Sequence, residues 1–263
     1  MSTLTRLAAA ACVALAALIA PAAHAGRPCE GKPLQVDAVT RGMALAQHTA
    51  EALDRSGAQV LVLARAGQDL SKYGLRYSHL GFVYRDGAHW RVLHKLNHCG
   101  TADSALYRQG LGEFFMDSPF RYEAALVPLT PHLQARLLPI LQDNARAAQL
   151  NERRYNMLAY PWSTAYQQSN QWAIETLAMA AAEPAASTRP AAQQWLQQRG
   201  YQPTTLRLGP LTRLGARVTA ANVAFDDHPD ALRFTDRINT VTVDSVFAWL
   251  ASSGLGAAVT TVR

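Results

Sequence analysis

The alternation of apolar and polar positions is clearest between Tyr77 and Cys99, YSHLGFVYRDGAHWRVLHKLNHC. Two runs rich in aromatic and β-branched residues, Tyr77–Arg85 and His89–Lys95, flank Asp86-Gly87. Asp-Gly favours a two-residue turn of type I′, because both central positions need positive φ, so the stretch predicts a β-hairpin. With Asp86 and Gly87 at the tip, Arg85 faces Ala88, Val83 faces Trp90, Gly81 faces Val92 and His79 faces His94. Directly opposed residues hold their Cβ atoms roughly 4.5–5.5 Å apart. Two imidazoles then share one sheet face beside Gly81, which leaves room for them.

The rest of the chain reads as interleaved helices and strands. Val39, Met43, Ala46, Ala50 and Leu53 recur at helical spacing and predict a helix that opens near Thr40 and stops at Gly57. Gln59–Ala64 predicts a short buried strand. Ser104 is a plausible cap for a helix through LYRQGLGEFF, which two glycines weaken. Phe120, Tyr122, Ala124 and Leu126 alternate and predict another strand. Thr130-Pro131 opens a helix whose apolar face is Leu133, Leu137, Leu138 and Leu141, with a kink expected at Pro139. Ser169 is a natural N-cap for a helix carrying Trp172, Ala173, Leu177 and Ala180. Glu183–Ala192 reads as a linker, TTLRL and Ile238–Val243 as strands, Leu211–Ala221 as a helix, and Asp244 as the cap of a last helix. Without regular βαβ periodicity, this order favours an α+β fold.

The first residues, MSTLTRLAAAACVALAALIAPAAHA, place one Arg before an apolar Ala/Leu run and end in Ala23-His24-Ala25. This is the form of a secretory signal peptide at residues 1–25, cleaved after Ala25, so a periplasmic or secreted location is expected. An uncleaved anchor is the rival reading, because the run nearly reaches the ~20 residues of a span. No later segment is apolar enough to cross a bilayer. The mature chain, 26–263, keeps 24 Lys and Arg against 19 acids, a net +5 with no basic run. That modest charge argues against a nucleic-acid partner. Cys29 and Cys99 survive processing, and an even count in an oxidising compartment suggests one disulfide; two free thiols are the alternative.

Three groups can carry chemistry. His79, with His94 beside it, has the form of a general base oriented by a second ring; the bland alternative is a packed pair on a half-buried sheet. Ser169 is either a simple cap or a nucleophile at a helix N-terminus, where backbone N–H groups and the side chains of Asn170 and Gln171 can stabilise an oxyanion. Asp226, Asp227 and His228 form a polar cluster that reads equally as a turn, a cap or part of a site. No close-spaced ligand motif is present, so no metal or cofactor is expected.

SHLGFVYRDGAHWRVLH, followed by a helix opening SNQW, resembles the circularly permuted, NlpC-like branch of the papain-like fold. The resemblance covers roughly residues 59–182 and implies an antiparallel sheet packed against helices, with 190–263 as a C-terminal extension of one α+β domain. It implies that Ser78-His79 begins a strand, that His79 is the base and His94 the third member, that Ser169 stands where the family has a nucleophilic Cys, and that Trp172 takes the aromatic position. An active member would cleave or transfer an amide or ester bond, with cell-wall peptides or lipid acyl groups as substrates; the expected partner is cell-envelope peptide, glycan or lipid. A chain with Ser for Cys is equally read as a non-catalytic periplasmic binding or interaction module. Over nearly the whole mature chain, YSHLGFVYRDG, LYRQGLGEFF, AYPWSTAYQQSNQW and FDDHP resemble an exported proteobacterial family known as domain of unknown function 2145. That resemblance implies no activity.

Overall fold

The computed structural model describes residues 35–116 and 119–263. The expected leader Met1–Ala25 and Cys29, and with it the expected Cys29–Cys99 bridge, fall outside the described residues. The architecture is α+β. The described chain begins with α1 (Val36–Ser56), β1 (Val60–Arg65), a 3-10 turn (Ser71–Tyr73), β2 (His79–Asp86), β3 (His89–Asn97) and β4 (Ser104–Gly110). There follow α2 (Leu111–Phe115), β5 (Ala124–Pro128), α3 (Pro131–Gln142), α4 (Asn144–Ala148), α5 (Ser169–Ala182) and α6 (Arg189–Gln198). The C-terminal part holds β6 (Thr204–Arg207), α7 (Pro210–Thr219), α8 (Asp230–Arg233), β7 (Arg237–Thr240), α9 (Val243–Ser252) and β8 (Thr260–Val262).

Six strands form one antiparallel sheet in the order β4-β3-β2-β1-β5-β8, and β6 pairs with β7 in a separate two-stranded sheet. Helices cover both faces of the large sheet. On one face α1 and α2 pack Leu45, Leu53, Phe114 and Phe115 against Leu61, Leu63, Val83 and Val92. On the other, α3 and α5 pack Leu137, Trp172 and Leu177 against Val62, Leu80, Phe82 and Leu93. Side chains alternate across a strand, so this split follows residue by residue along β2: Leu80 and Phe82 face α5, and Val83 faces α1. Helix α5 is buried from Ser169 to Ala180, and the polar residues it carries inward, Gln171, Glu175 and Thr176, are hydrogen-bonded there. Val246, Trp249 and Leu250 of α9 join the α5 core, and β8 completes the sheet beside β5.

Several expected elements shift. The hairpin forms, but its register is two residues away: Val83 pairs with Val92, Arg85 pairs with Trp90, and Asp86 pairs with His89. Gly87 and Ala88 make the turn, and Gly87 takes φ +59°, the left-handed region open to glycine. A shift of two preserves the face, because the side-chain period is two. Ser104–Gly110 is an edge strand, not a helix, held by seven residue pairs to β3. The strand expected from Phe120 begins only at Ala124, after a loop. Helix α1 starts a turn before Thr40, whose hydroxyl donates back to the Val36 carbonyl and caps nothing. The caps of α5 and α9 are Gln168 and Thr242, so Ser169 and Asp244 are already helical.

Candidate functional site

His79 and His94 meet on the α1 side of the sheet. His94 lies across from Gly81, where an added Cβ would stand 2.7 Å from the His94 Cβ. Gly81 therefore leaves the room its position predicts, but for His94 directly opposite. His79 reaches His94 diagonally, with Nε2 2.8 Å from Nδ1. The proton positions follow from the chain of partners. Glu113 takes a hydrogen bond from the Gln109 amide nitrogen, so the Gln109 oxygen faces His94 Nε2 at 2.8 Å. An oxygen only accepts, so Nε2 carries the proton. Burial, aided by the Arg65 charge, pushes the His94 imidazolium down to about 3, against the Gln109 bond that raises it. Neutral His94 leaves Nδ1 bare to accept from His79 Nε2–H. Burial, then Arg65, then His94 hold His79 well below the usual histidine range. Its Nδ1 keeps a lone pair with no donor among the described residues. Phe114 closes the site, its ring centroid 6.0 Å from His79 and 5.1 Å from His94, with the Arg65 guanidinium over it at 4.6 Å. Arg65, Gln109 and Phe114 have no sequence signal of their own; they reach the histidines from β1, β4 and α2.

Ser169 is not brought to this pair. It opens α5 on the opposite face, 4 % exposed, and its Oγ lies 3.2 Å from the Tyr155 hydroxyl. Burial raises the Tyr155 phenol, so this partner stays protonated and is no base. The α5 N-terminus does touch β2: the Asn170 side-chain oxygen accepts from the Leu80 N–H at 3.1 Å. His79 and Leu80 point to opposite faces, so that contact leaves the imidazole across the sheet from Ser169. Gln171 donates to the Tyr160 and Pro161 carbonyls (both 3.3 Å), which fastens the aromatic loop and aims no donor at Ser169. Ser78 Oγ accepts from the Gly67 and Gln68 N–H groups and ties down the loop before β2.

Asp226, Asp227 and His228 form a third, separate place. Asp227 accepts from Tyr160 N–H (2.7 Å) and lies 3.0 Å from His228 Nδ1, both side chains sealed from water. His228 Nε2 faces the Asn239 carbonyl at 3.2 Å. That carbonyl only accepts, so Nε2–H donates to it. Asp226 takes the Tyr166 hydroxyl at 3.2 Å. The cluster clasps the 151–168 loop to β7.

Two polar features escape sequence reading. Lys95, next to His94 and so on the α5 face, is fully buried and donates to Asn151, the Glu152 carbonyl and Gln167 (2.7, 2.5 and 3.0 Å). Gln167 continues to Glu175, which Arg189 and Gln193 also bind. Burial and the Arg189 charge push Lys95 down to about 7, against the carboxylate charges of Glu175, Glu152 and Asp103, which favour the ammonium. The second feature is a cleft of about 460 Å³ between the sheet and α4, with Leu93, Leu106 and Ala147 as its floor and Arg108, Asn151 and Arg153 at its rim. Arg108 donates to the Tyr84 hydroxyl, the Leu141 carbonyl and the Asn144 side chain. Among the described residues none of its hydrogen-bond or ion-pair partners is a carboxylate.

Among the described residues no group of three or more His, Cys, Asp or Glu is placed to hold a metal ion, and no helix is long and apolar enough to cross a membrane. No curated protein and no solved structure matches the chain. The profile of one bacterial family matches residues 52–250, from the end of α1 into α9, and includes the His79–His94 pair, Lys95, Ser169 and the Asp226–His228 cluster. The chain therefore belongs to the family described as uncharacterized protein conserved in bacteria (DUF2145).

Proposed function

We propose that the chain is an exported binding protein on a permuted papain-like scaffold, and that it is not a hydrolase. The observation that carries this reading is the sheet that lies between Ser169 and the histidine pair. A serine nucleophile needs its base within about 2.6–3.2 Å. Here Ser169 is bonded to a phenol and shut off from water, and His79 presents its lone pair to the other face. The contact from Asn170 to β2 fits the papain-like arrangement of helix and strand, with the catalytic geometry gone.

The ligand site in this reading is the cleft beside α4. Its apolar floor and Arg108, which binds no carboxylate among the described residues, suit an anionic ligand with an apolar part, and the peptides of the cell wall have that chemistry. A guanidinium binds a carboxylate in a bidentate, geometrically specific way. Calorimetric titration with a soluble cell-wall stem peptide tests this. Saturable binding, at least tenfold weaker in Arg108→Gln, is expected. Cleavage of the peptide by the parent protein, lost in Ser169→Ala, would overturn the reading.

A further inference from the structure

Helix α7 is built inside out. Of its ten residues the buried one is Arg213, and the apolar ones face water: Leu211 is 85 % exposed, Leu214 61 % and Val218 77 %. These three recur at spacings of three and four, which places them in one stripe along one side of the helix. The opposite side is fixed by Arg213. Its guanidinium donates to the carbonyls of Leu208, Arg233 and Arg237 (3.1, 2.7 and 2.7 Å), with longer contacts to Leu232 at 3.5 Å. The stripe is therefore held outward by a polar anchor and is not a face turned out by loose packing. Phe234, 78 % exposed, ends the neighbouring α8, whose last carbonyls that same arginine binds.

We infer that this stripe seats the protein on the surface of an anionic membrane. The charges around it carry the choice of occupant. Within α7 there are two arginines and no acid, and Arg217 flanks Leu214 one residue short of Val218. Arg207 and Arg233 stand exposed or half-exposed on either side in sequence; Asp230 and Asp236 are the acids nearby, and Arg237 pairs with Asp236 at 4.0 Å. Arg213 gives its hydrogen bonds to neutral carbonyls and lies over the Phe225 ring at 5.2 Å; Asp236 is the acid that acts on its charge, and the remainder adds to the field of the helix. An interfacial helix has this composition: a short apolar face that enters the acyl boundary and basic residues that meet lipid phosphates. Three aliphatic side chains and one ring are a small footprint beside the roughly 800 Å² that each partner gives to a stable protein pair. The same footprint suffices at a bilayer, where electrostatic attraction supplements apolar insertion.

Vesicle co-sedimentation tests the inference. The probes are vesicles of phosphatidylglycerol with phosphatidylethanolamine and, as the neutral control, phosphatidylcholine. Parent and variant proteins are compared in the same processed form, so that residues 1–34 contribute equally. Leu211→Glu with Leu214→Glu changes only exposed positions, and its circular dichroism and thermal midpoint should match the parent. The expected result is binding to the anionic vesicles that weakens at least tenfold in this variant. Arg217→Glu should weaken it several-fold, and raised salt should do the same. No binding to anionic vesicles, or binding equal in parent and variant, overturns the inference. So does a parent dimer in light scattering that the variant loses without any vesicle binding, since the stripe would then be an interface between copies.

Discussion

Lowering the pH from 6.5 to 5.0 should destabilise the protein through the His79–His94 pair, and His94→Asn should remove about half of that effect. Unfolded histidine takes a proton near pH 6.5, whereas burial and the Arg65 charge keep both rings neutral in the fold well below that. The unfolded chain then binds more protons in this window, so stability falls as pH falls. Each neutral-held histidine contributes roughly 1.6 kcal/mol of loss between pH 6.5 and 5.0, and the pair roughly 3.3 kcal/mol. Lys95, pushed to about 7, and Glu123, held at about 2 chiefly by its bond to Arg76, change their charge mostly outside this window. Asparagine at position 94 keeps an oxygen near the place of Nδ1 to accept from His79, and carries no titrating ring. The variant starts less stable by roughly 1–3 kcal/mol, because Gln109 loses its partner. Its further loss on acidification should be roughly 1.6 kcal/mol. Urea unfolding of both proteins at four pH values supplies the numbers. Equal pH slopes in parent and variant would refute the neutral, buried pair.

Gly81→Ala should lower stability by roughly 1–3 kcal/mol, since the new methyl meets the His94 Cβ at 2.7 Å and the Leu93 carbonyl at 2.9 Å; thermal unfolding that leaves the midpoint unchanged would show that the hairpin yields there. Glu175→Gln strips Arg189 of its carboxylate in a place 1 % exposed, and a loss of roughly 3–5 kcal/mol is expected in chemical denaturation. For the N-terminal region, intact mass of the exported protein should begin at Gly26. Alkylation of the unfolded, unreduced chain should find no thiol if Cys29 and Cys99 are joined, as we propose.

The elements were largely legible, and the side of the sheet was not. Tyr77–Lys95 announced a hairpin, but Asp-Gly fits a turn either as both central residues or as its first two positions, and the chain uses the second. Thr130-Pro131 marked α3 because a cap and a fixed φ act locally: the Thr130 hydroxyl takes the Leu133 N–H. Ser104–Gly110 hid its strand, since six of its seven residues are half-exposed at the sheet edge and show no alternation in burial. Val262 and its two threonines are too short a run to predict β8. Period two in β2 fixes His79 and Leu80 on opposite faces, yet nothing local says which face receives α5. Trp172 packing on Phe82, with ring centroids 5.6 Å apart, makes that choice, and it is a contact between residues 90 positions apart. The candidate site therefore divided into three places at the one step that sequence spacing does not encode.

Labelling with a serine-directed fluorophosphonate probe tests the central claim most directly. Parent, Ser169→Ala and His79→Ala proteins are treated side by side and read by mass spectrometry. With Ser169 bonded to Tyr155 on one face and His79 on the other, the parent should carry no adduct, and the two variants should look the same. An adduct on Ser169 in the parent, absent from His79→Ala at an unchanged thermal midpoint, would contradict the account.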